Sequence, residues 1–108
     1  MRRYSDIIQY AEYIEMVSIR NLTIIRAKII IIDGSRVYIR EVWRDDNLID
    51  YSYWWLDINN QVIEGWDNSP HHPEVPTFPH HRHTPSGVRE LHNPDLLNFF
   101  NKIREELL

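Results

Sequence analysis

No cysteine occurs in this chain, which excludes disulfides and thiolate metal sites and makes a cytoplasmic location the default expectation. Long apolar runs are missing too. The aliphatic run Ile29–Ile32 is four residues, far short of the roughly 18 that a membrane helix needs, so no membrane association is expected. The first residues, Met1-Arg2-Arg3-Tyr4, are basic but pass into Ser5-Asp6 instead of an apolar signal segment. Lysine is scarce as well: two stand against ten arginines. Arginine makes planar, bidentate contacts to phosphate and carboxylate. A phosphate-facing surface is the functional reading of that bias, and a compositional preference is the plain one.

Positive charge is absent from one long stretch. Residues 45–78 carry seven acids and no Lys or Arg, whereas residues 1–44 carry eight bases and five acids. The net charge of −4 argues against indiscriminate coating of nucleic acid. At 108 residues the chain is expected to form a single domain over 1–108 with one core.

Several elements can be read from spacing. Ser5 can cap a helix over Asp6–Met16, with Ile7, Ile8, Ala11 and Ile14 along one face. β-Branched residues dominate from Ser18. Asp33-Gly34 reads as a two-residue hairpin turn pairing Ile32 with Ser35 and Arg26 with Glu41. Arg36, Tyr38 and Arg40 then share one sheet face, and Val37, Ile39 and Glu41 the other. A second hairpin turns at Ile58-Asn59-Asn60 and sets Tyr51, Tyr53 and Trp55 on one face. Proline density disfavours a regular strand or helix between Trp66 and about Thr77. Asn93, Pro94 and Asp95 start an amphipathic helix on which Leu96, Phe99, Phe100, Ile103 and Leu107 recur at spacings of three and four. The expected fold is α+β: an N-terminal helix, a four-stranded antiparallel meander, a His/Pro-rich loop and a C-terminal helix.

Chemistry concentrates in "GWDNSPHHPEVPTFPHHRH", Gly65 to His83, which holds five of the six histidines and four of the six prolines. Imidazole donates and accepts protons near neutral pH and ligates metals. Cleavage of RNA by its own 2′-hydroxyl needs a base, an acid and cations on the phosphorus oxygens. One of His71/His72 and one of His80/His81/His83 can fill the proton roles without any metal or other cofactor. Asp67 can set an imidazole's tautomer, and Arg82, with Arg36 and Arg40 from the sheet, can hold phosphate. Trp66 joins them as a substrate contact. A metal site competes with this: His81-x-His83 places two imidazoles on one side of a strand, and His71 or His72 with Asp67 or Glu74 can complete a tetrahedral Zn²⁺ set. A third reading leaves the histidines hydrogen-bonded to main-chain oxygens in a proline-stiffened loop.

The patterns G-W-D-N-x-P-H-H at Gly65–His72 and T-F-P-H-H-x-H at Thr77–His83 are carried here intact, with Ser69 at the variable place. With the "YSYWWLDINNQVIEGWDN" segment before them, they resemble the TumE family over nearly the whole chain. The resemblance implies the toxin half of a two-gene, type II toxin–antitoxin module with a helix-turn-helix antitoxin as partner. The expected helix-plus-antiparallel-sheet layout looks like the RelE/barnase type of architecture, an analogy at the level of fold alone. The expected activity is metal-independent endoribonuclease action on single-stranded RNA. The alternative is a non-catalytic Zn²⁺-binding or partner-binding module, with His81, His83 and His71 as ligands; self-association is left open.

Overall fold

A computed structural model describes residues 2–108; Met1, counted in the single domain expected over 1–108, lies outside them. One antiparallel sheet dominates, with seven strands in the order of the chain. They are β1 (Ile8–Ile19), β2 (Leu22–Ile31), β3 (Arg36–Arg44), β4 (Asn47–Leu56), β5 (Val62–Asp67), β6 (His81–Thr84) and β7 (Gly87–Glu90). A 3₁₀ turn at Arg2–Tyr4 precedes them, and the helix α1 (Leu96–Leu107) follows.

The expected N-terminal helix is therefore a strand, and the reason is visible in the ladder. Ile8 pairs with Ile31, Ala11 with Ile29 and Ile14 with Ala27, so all three share a face although they are three residues apart. Two β-bulges, one between Ile8 and Tyr10 and one between Ala11 and Tyr13, each insert an extra residue. Alternation plus a bulge gives a spacing of three, which imitates helical periodicity. The meander also has seven strands rather than four, because β1, β6 and β7 join it.

The first hairpin turns one residue earlier than expected. Ile31 N–H donates to Ser35 O and Gly34 N–H to Ile31 O, closing a three-residue loop with Gly34 at φ +87°. Arg26 consequently faces Arg40, and Glu41 faces Ile25. The faces are unaffected: Val37, Ile39 and Glu41 are buried, whereas Arg36 and Tyr38 are half-buried and Arg40 exposed. At the second hairpin Asp57 Oδ1 accepts from the N–H groups of Asn59 and Gln61, and Asn60 takes φ +64°.

α1 packs on one face of the sheet, hereafter the helix face. Phe99, Phe100 and Ile103 are wholly buried there against Tyr53, Trp66, Ile39 and Ile29. The helix is thus covered by its own sheet. Its cap is Asp95, whose side chain accepts from Asn98 N–H, two residues later than the Asn93 start read from sequence. Tyr4 ties the chain's beginning to this helix: its hydroxyl reaches Leu97 O and Asn101 Oδ1, and its ring stacks on Phe100. The long edge strand β1 reaches beyond this core and leaves Ile14, Met16, Val17 and Ile19 more than half exposed.

The opposite face of β4–β6 is covered by the proline-rich segment 68–80, hereafter the loop face. Asn68 extends β5 by one step, accepting from Tyr51 N–H and donating to Ile49 O. Val75 is the buried apolar anchor of the loop. Thr77 fastens its far end: its hydroxyl donates to His80 O and accepts from Leu91 N–H.

Candidate functional site

Strand pairing places the chemistry on the loop face. Asp67 of β5 pairs with His81 of β6, and Gly65 with His83, so alternation brings His81, His83 and Asp67 to one side. Across β4 the same rows continue to Ser52 and Trp54, and across β3 to Arg40 and Tyr38. The loop then folds His72 back over the strand. Ring centroids of His72 and His81 lie 4.8 Å apart, those of His81 and His83 4.8 Å, and those of His72 and His83 5.7 Å, all edge to face. One ring nitrogen from each of the three lies within 4.8 Å of the others.

Each imidazole has one nitrogen committed to an oxygen. His72 Nδ1 is 3.0 Å from Glu74 Oε2, His81 Nδ1 is 2.9 Å from Pro79 O, and His83 Nε2 is 3.1 Å from Asp67 Oδ2. Since a carbonyl or a carboxylate can only accept, each of those nitrogens is the N–H of its ring. The other nitrogen of each ring makes no hydrogen bond among the described residues. In His81 that atom, Nε2, is buried without a hydrogen-bond partner. It sits 3.0 Å from Asp67 Oδ1, close in distance but outside hydrogen-bond geometry.

Asp67 is the hub. Its Oδ1 accepts from Ser69 N–H at 2.9 Å and from Ser69 Oγ at 2.7 Å. Burial raises its pKa, but the hydrogen bonds from Ser69 and the neighbouring His81 and His83 outweigh that, and the carboxyl lies below its ordinary value. Glu74 is held below its ordinary value as well, by a backbone hydrogen bond first and by His72 second. His81 is 1% exposed, while the side chains of His72 and His83 keep 30% and 27%. The cluster therefore has a buried base and an open rim.

An aromatic platform adjoins the rim. Trp54 stacks on His83 with centroids 5.0 Å apart, and it lies flat over Gly65, which has no Cβ to push it away. Further along the same face stand Arg26, Lys28 and Arg40. Arg40 pairs with Asp50, Lys28 with Glu12 at 2.7 Å, and Arg26 faces Glu15 across the ladder.

Of the residues singled out from sequence, Asp67, His72, His81 and His83 come together, with Glu74 held at His72. The others do not. His71 is exposed on the loop. His80 stacks on Tyr51 and its Nδ1 meets the Tyr51 hydroxyl at 2.8 Å. Burial and the Asp67 charge raise that hydroxyl's pKa far above its usual value. Arg82 alternates to the helix face, where it binds Glu64 at 3.2 Å and lines a cleft of about 250 Å³ with Leu91 and Lys102. Trp66 is core, edge-on to Phe99 with its Nε1–H on Glu64. Arg36 donates to Asn60, away from the cluster. Trp54 and the Pro79 carbonyl were not assigned site roles from sequence. Strand alternation through Gly65 could have found the first; the second depends on how the loop closes.

Residues 2–107 match the family model described as Toxin TumE. The chain belongs to that toxin family. The match spans both TumE-like motifs, Gly65–His72 and Thr77–His83, and so includes every member of the cluster. A toxin family implies an antitoxin partner. No curated protein and no solved structure matches the chain. Among the described residues, no helix is long and apolar enough to cross a membrane.

Proposed function

We propose that this toxin is an endoribonuclease acting on single-stranded RNA, with messenger RNA the expected natural substrate, and that a helix-turn-helix antitoxin restrains it. The observation that carries the reading is the open-rimmed cluster of His72, His81 and His83 around Asp67, set beside a half-exposed Trp54 on a face that also bears Arg26, Lys28 and Arg40.

The chemistry needs little. The 2′-oxygen bonds to phosphorus as the bond from phosphorus to O5′ breaks; the 2′-hydroxyl proton passes to a base, and O5′ receives a proton from an acid. The products are a 2′,3′-cyclic phosphate and a 5′-hydroxyl. Each proton role is worth about 10²–10⁴-fold. The groups that meet these protons are the rim imidazoles or something that they hold. A base stacked on Trp54 places the adjoining phosphate over His83, and base–aromatic stacking is worth about 1–3 kcal/mol without demanding a sequence. The acids paired with Arg40 and Lys28 keep the face near neutrality, which favours one local contact over long-range coating.

Arg82, expected to clamp phosphate, takes no part in this reading. Incubating purified, antitoxin-free protein with 5′-labelled single-stranded RNA should release fragments ending in cyclic phosphate. RNA left whole at equimolar protein would overturn the reading.

A further inference from the structure

We infer that His72, His81 and His83 form a three-histidine site for a divalent transition-metal ion of the zinc class. An acid–base pair needs two imidazoles; here three offer a nitrogen to one point. The hydrogen bonds that these rings already make to oxygen support the assignment. Metal-binding histidines characteristically donate the second ring N–H to a carboxylate or main-chain carbonyl, which fixes the tautomer and makes the ligating nitrogen more basic. All three rings do so, to Glu74, Pro79 and Asp67. Three independent coincidences of that kind are not required by a loop that merely packs.

The orphaned nitrogen argues the same way. His81 Nε2 is buried and lacks a hydrogen bond, a state that is costly for a polar atom in a protein interior. In the tautomer set by Pro79 it points a lone pair into a space already occupied by Asp67 Oδ1, 3.0 Å away. A proton on Nε2 would make this contact an ion pair with Asp67; a cation held between the three rings would satisfy the same nitrogen and the carboxylate together.

The ligand set names the class of ion. Neutral imidazoles suit zinc and its neighbours, and calcium or magnesium would ask for oxygen instead. A tetrahedral zinc site with bonds of about 2.1 Å needs nitrogens about 3.4 Å apart. Closing from 4.8 Å requires movement of the rings, and His72 and His83 are the two that are only half-buried. Three imidazoles leave one position of a tetrahedral set for a further ligand. This departs from the set expected from sequence: His72 replaces His71, because the loop folds His72 over His81 and His83 and leaves His71 exposed.

Zinc binding stands apart from RNA cleavage; only the ion's use in cleavage rests on the reading above. The test is a zinc titration of tag-free, chelator-stripped protein followed by calorimetry, with cobalt(II) as a visible-light probe. One equivalent should bind, and cobalt should give the intense bands of four-coordination. His72→Ala and His83→Ala should each weaken zinc binding at least about 10-fold, and Glu74→Gln by about 10-fold. The Glu74 change is on the surface and keeps the test valid should an alanine variant fail to fold. No uptake at micromolar zinc, or uptake unchanged in these variants, would overturn the site. Bound zinc in a protein that leaves RNA whole would leave the site standing and overturn the cleavage reading. RNA cleavage by protein that takes up no zinc would do the reverse.

Discussion

Trp54 and Gly65 face each other across β4 and β5, and the indole occupies the space that any side chain at Gly65 would need. A Cβ added there would lie 2.3 Å from the ring. Trp54 in turn supports His83. One missing methyl group thus positions both the stacking platform and a rim imidazole. Gly65→Ala should force the indole off its seat and cost about 1–3 kcal/mol, the usual range for overpacking. Urea denaturation with tryptophan fluorescence measures the cost, and the RNA-binding constant should weaken along with it. A variant as stable as the parent with unchanged binding would show that Trp54 has another resting place.

Arg82 separates the helix face from the loop face. It is the immediate chain neighbour of both His81 and His83, yet its guanidinium serves the buried Glu64 on the far side of the sheet. Arg82→Ala should leave RNA cleavage within about twofold, since it touches nothing on the loop face. It should destabilise the fold by about 1–3 kcal/mol, because Glu64 keeps only the Trp66 N–H as partner. Loss of cleavage without loss of stability would return Arg82 to the phosphate.

Glu41 is a buried carboxylate held by the Tyr53 hydroxyl and by Trp43 Nε1–H at 3.0 Å. Burial first, and the hydrogen bond to Glu41 second, raise the Tyr53 pKa well beyond its usual value. Glu41→Ala strands both donors beneath α1 and should cost about 1–3 kcal/mol. Phe99→Ala, which empties the contact between α1, Tyr53 and Trp66, should cost more, about 3–5 kcal/mol. Denaturation midpoints for the pair rank them directly.

Acid should weaken the fold through Asp67. Its folded-state pKa is lowered, so the carboxylate contributes stability in full above the unfolded value of about 3.9 and loses it as pH falls through the folded value. Urea midpoints between pH 2 and 6 should decline more steeply below about pH 4 for the parent than for Asp67→Asn. Parallel curves would mean that Ser69, His81 and His83 do not hold the charge.

How much of this is legible in the sequence depends on where alternation runs unbroken. β3 over Arg36–Glu41 and β4 over Tyr51–Leu56 alternate cleanly, so Val37, Ile39, Tyr51, Tyr53 and Trp55 could be assigned to the core without coordinates. α1 announces itself through Phe99, Phe100 and Ile103. β1 misleads because its two bulges respace Ile8, Ala11 and Ile14. β6 and β7 are four residues each and polar, too short for periodicity to register. His81-x-His83 was readable as a same-side pair, and the same alternation turns Arg82 away from it. That His72, not His71, joins the pair depends on the turns at residues 72–80, where Val75 N–H meets His72 O and Phe78 N–H meets Val75 O. Such closure is a property of the folded loop and leaves no local pattern.

The most direct test of the central claim is the cleavage rate of single-stranded RNA by the His72→Ala/His83→Ala double variant, measured beside the parent at matched thermal stability. Removal of both open-rim imidazoles should lower the rate at least about 100-fold, the lower end of what one proton-transfer role supplies. A double variant that folds as the parent does and cuts RNA at the parent's rate would place the toxin's chemistry somewhere other than the loop face.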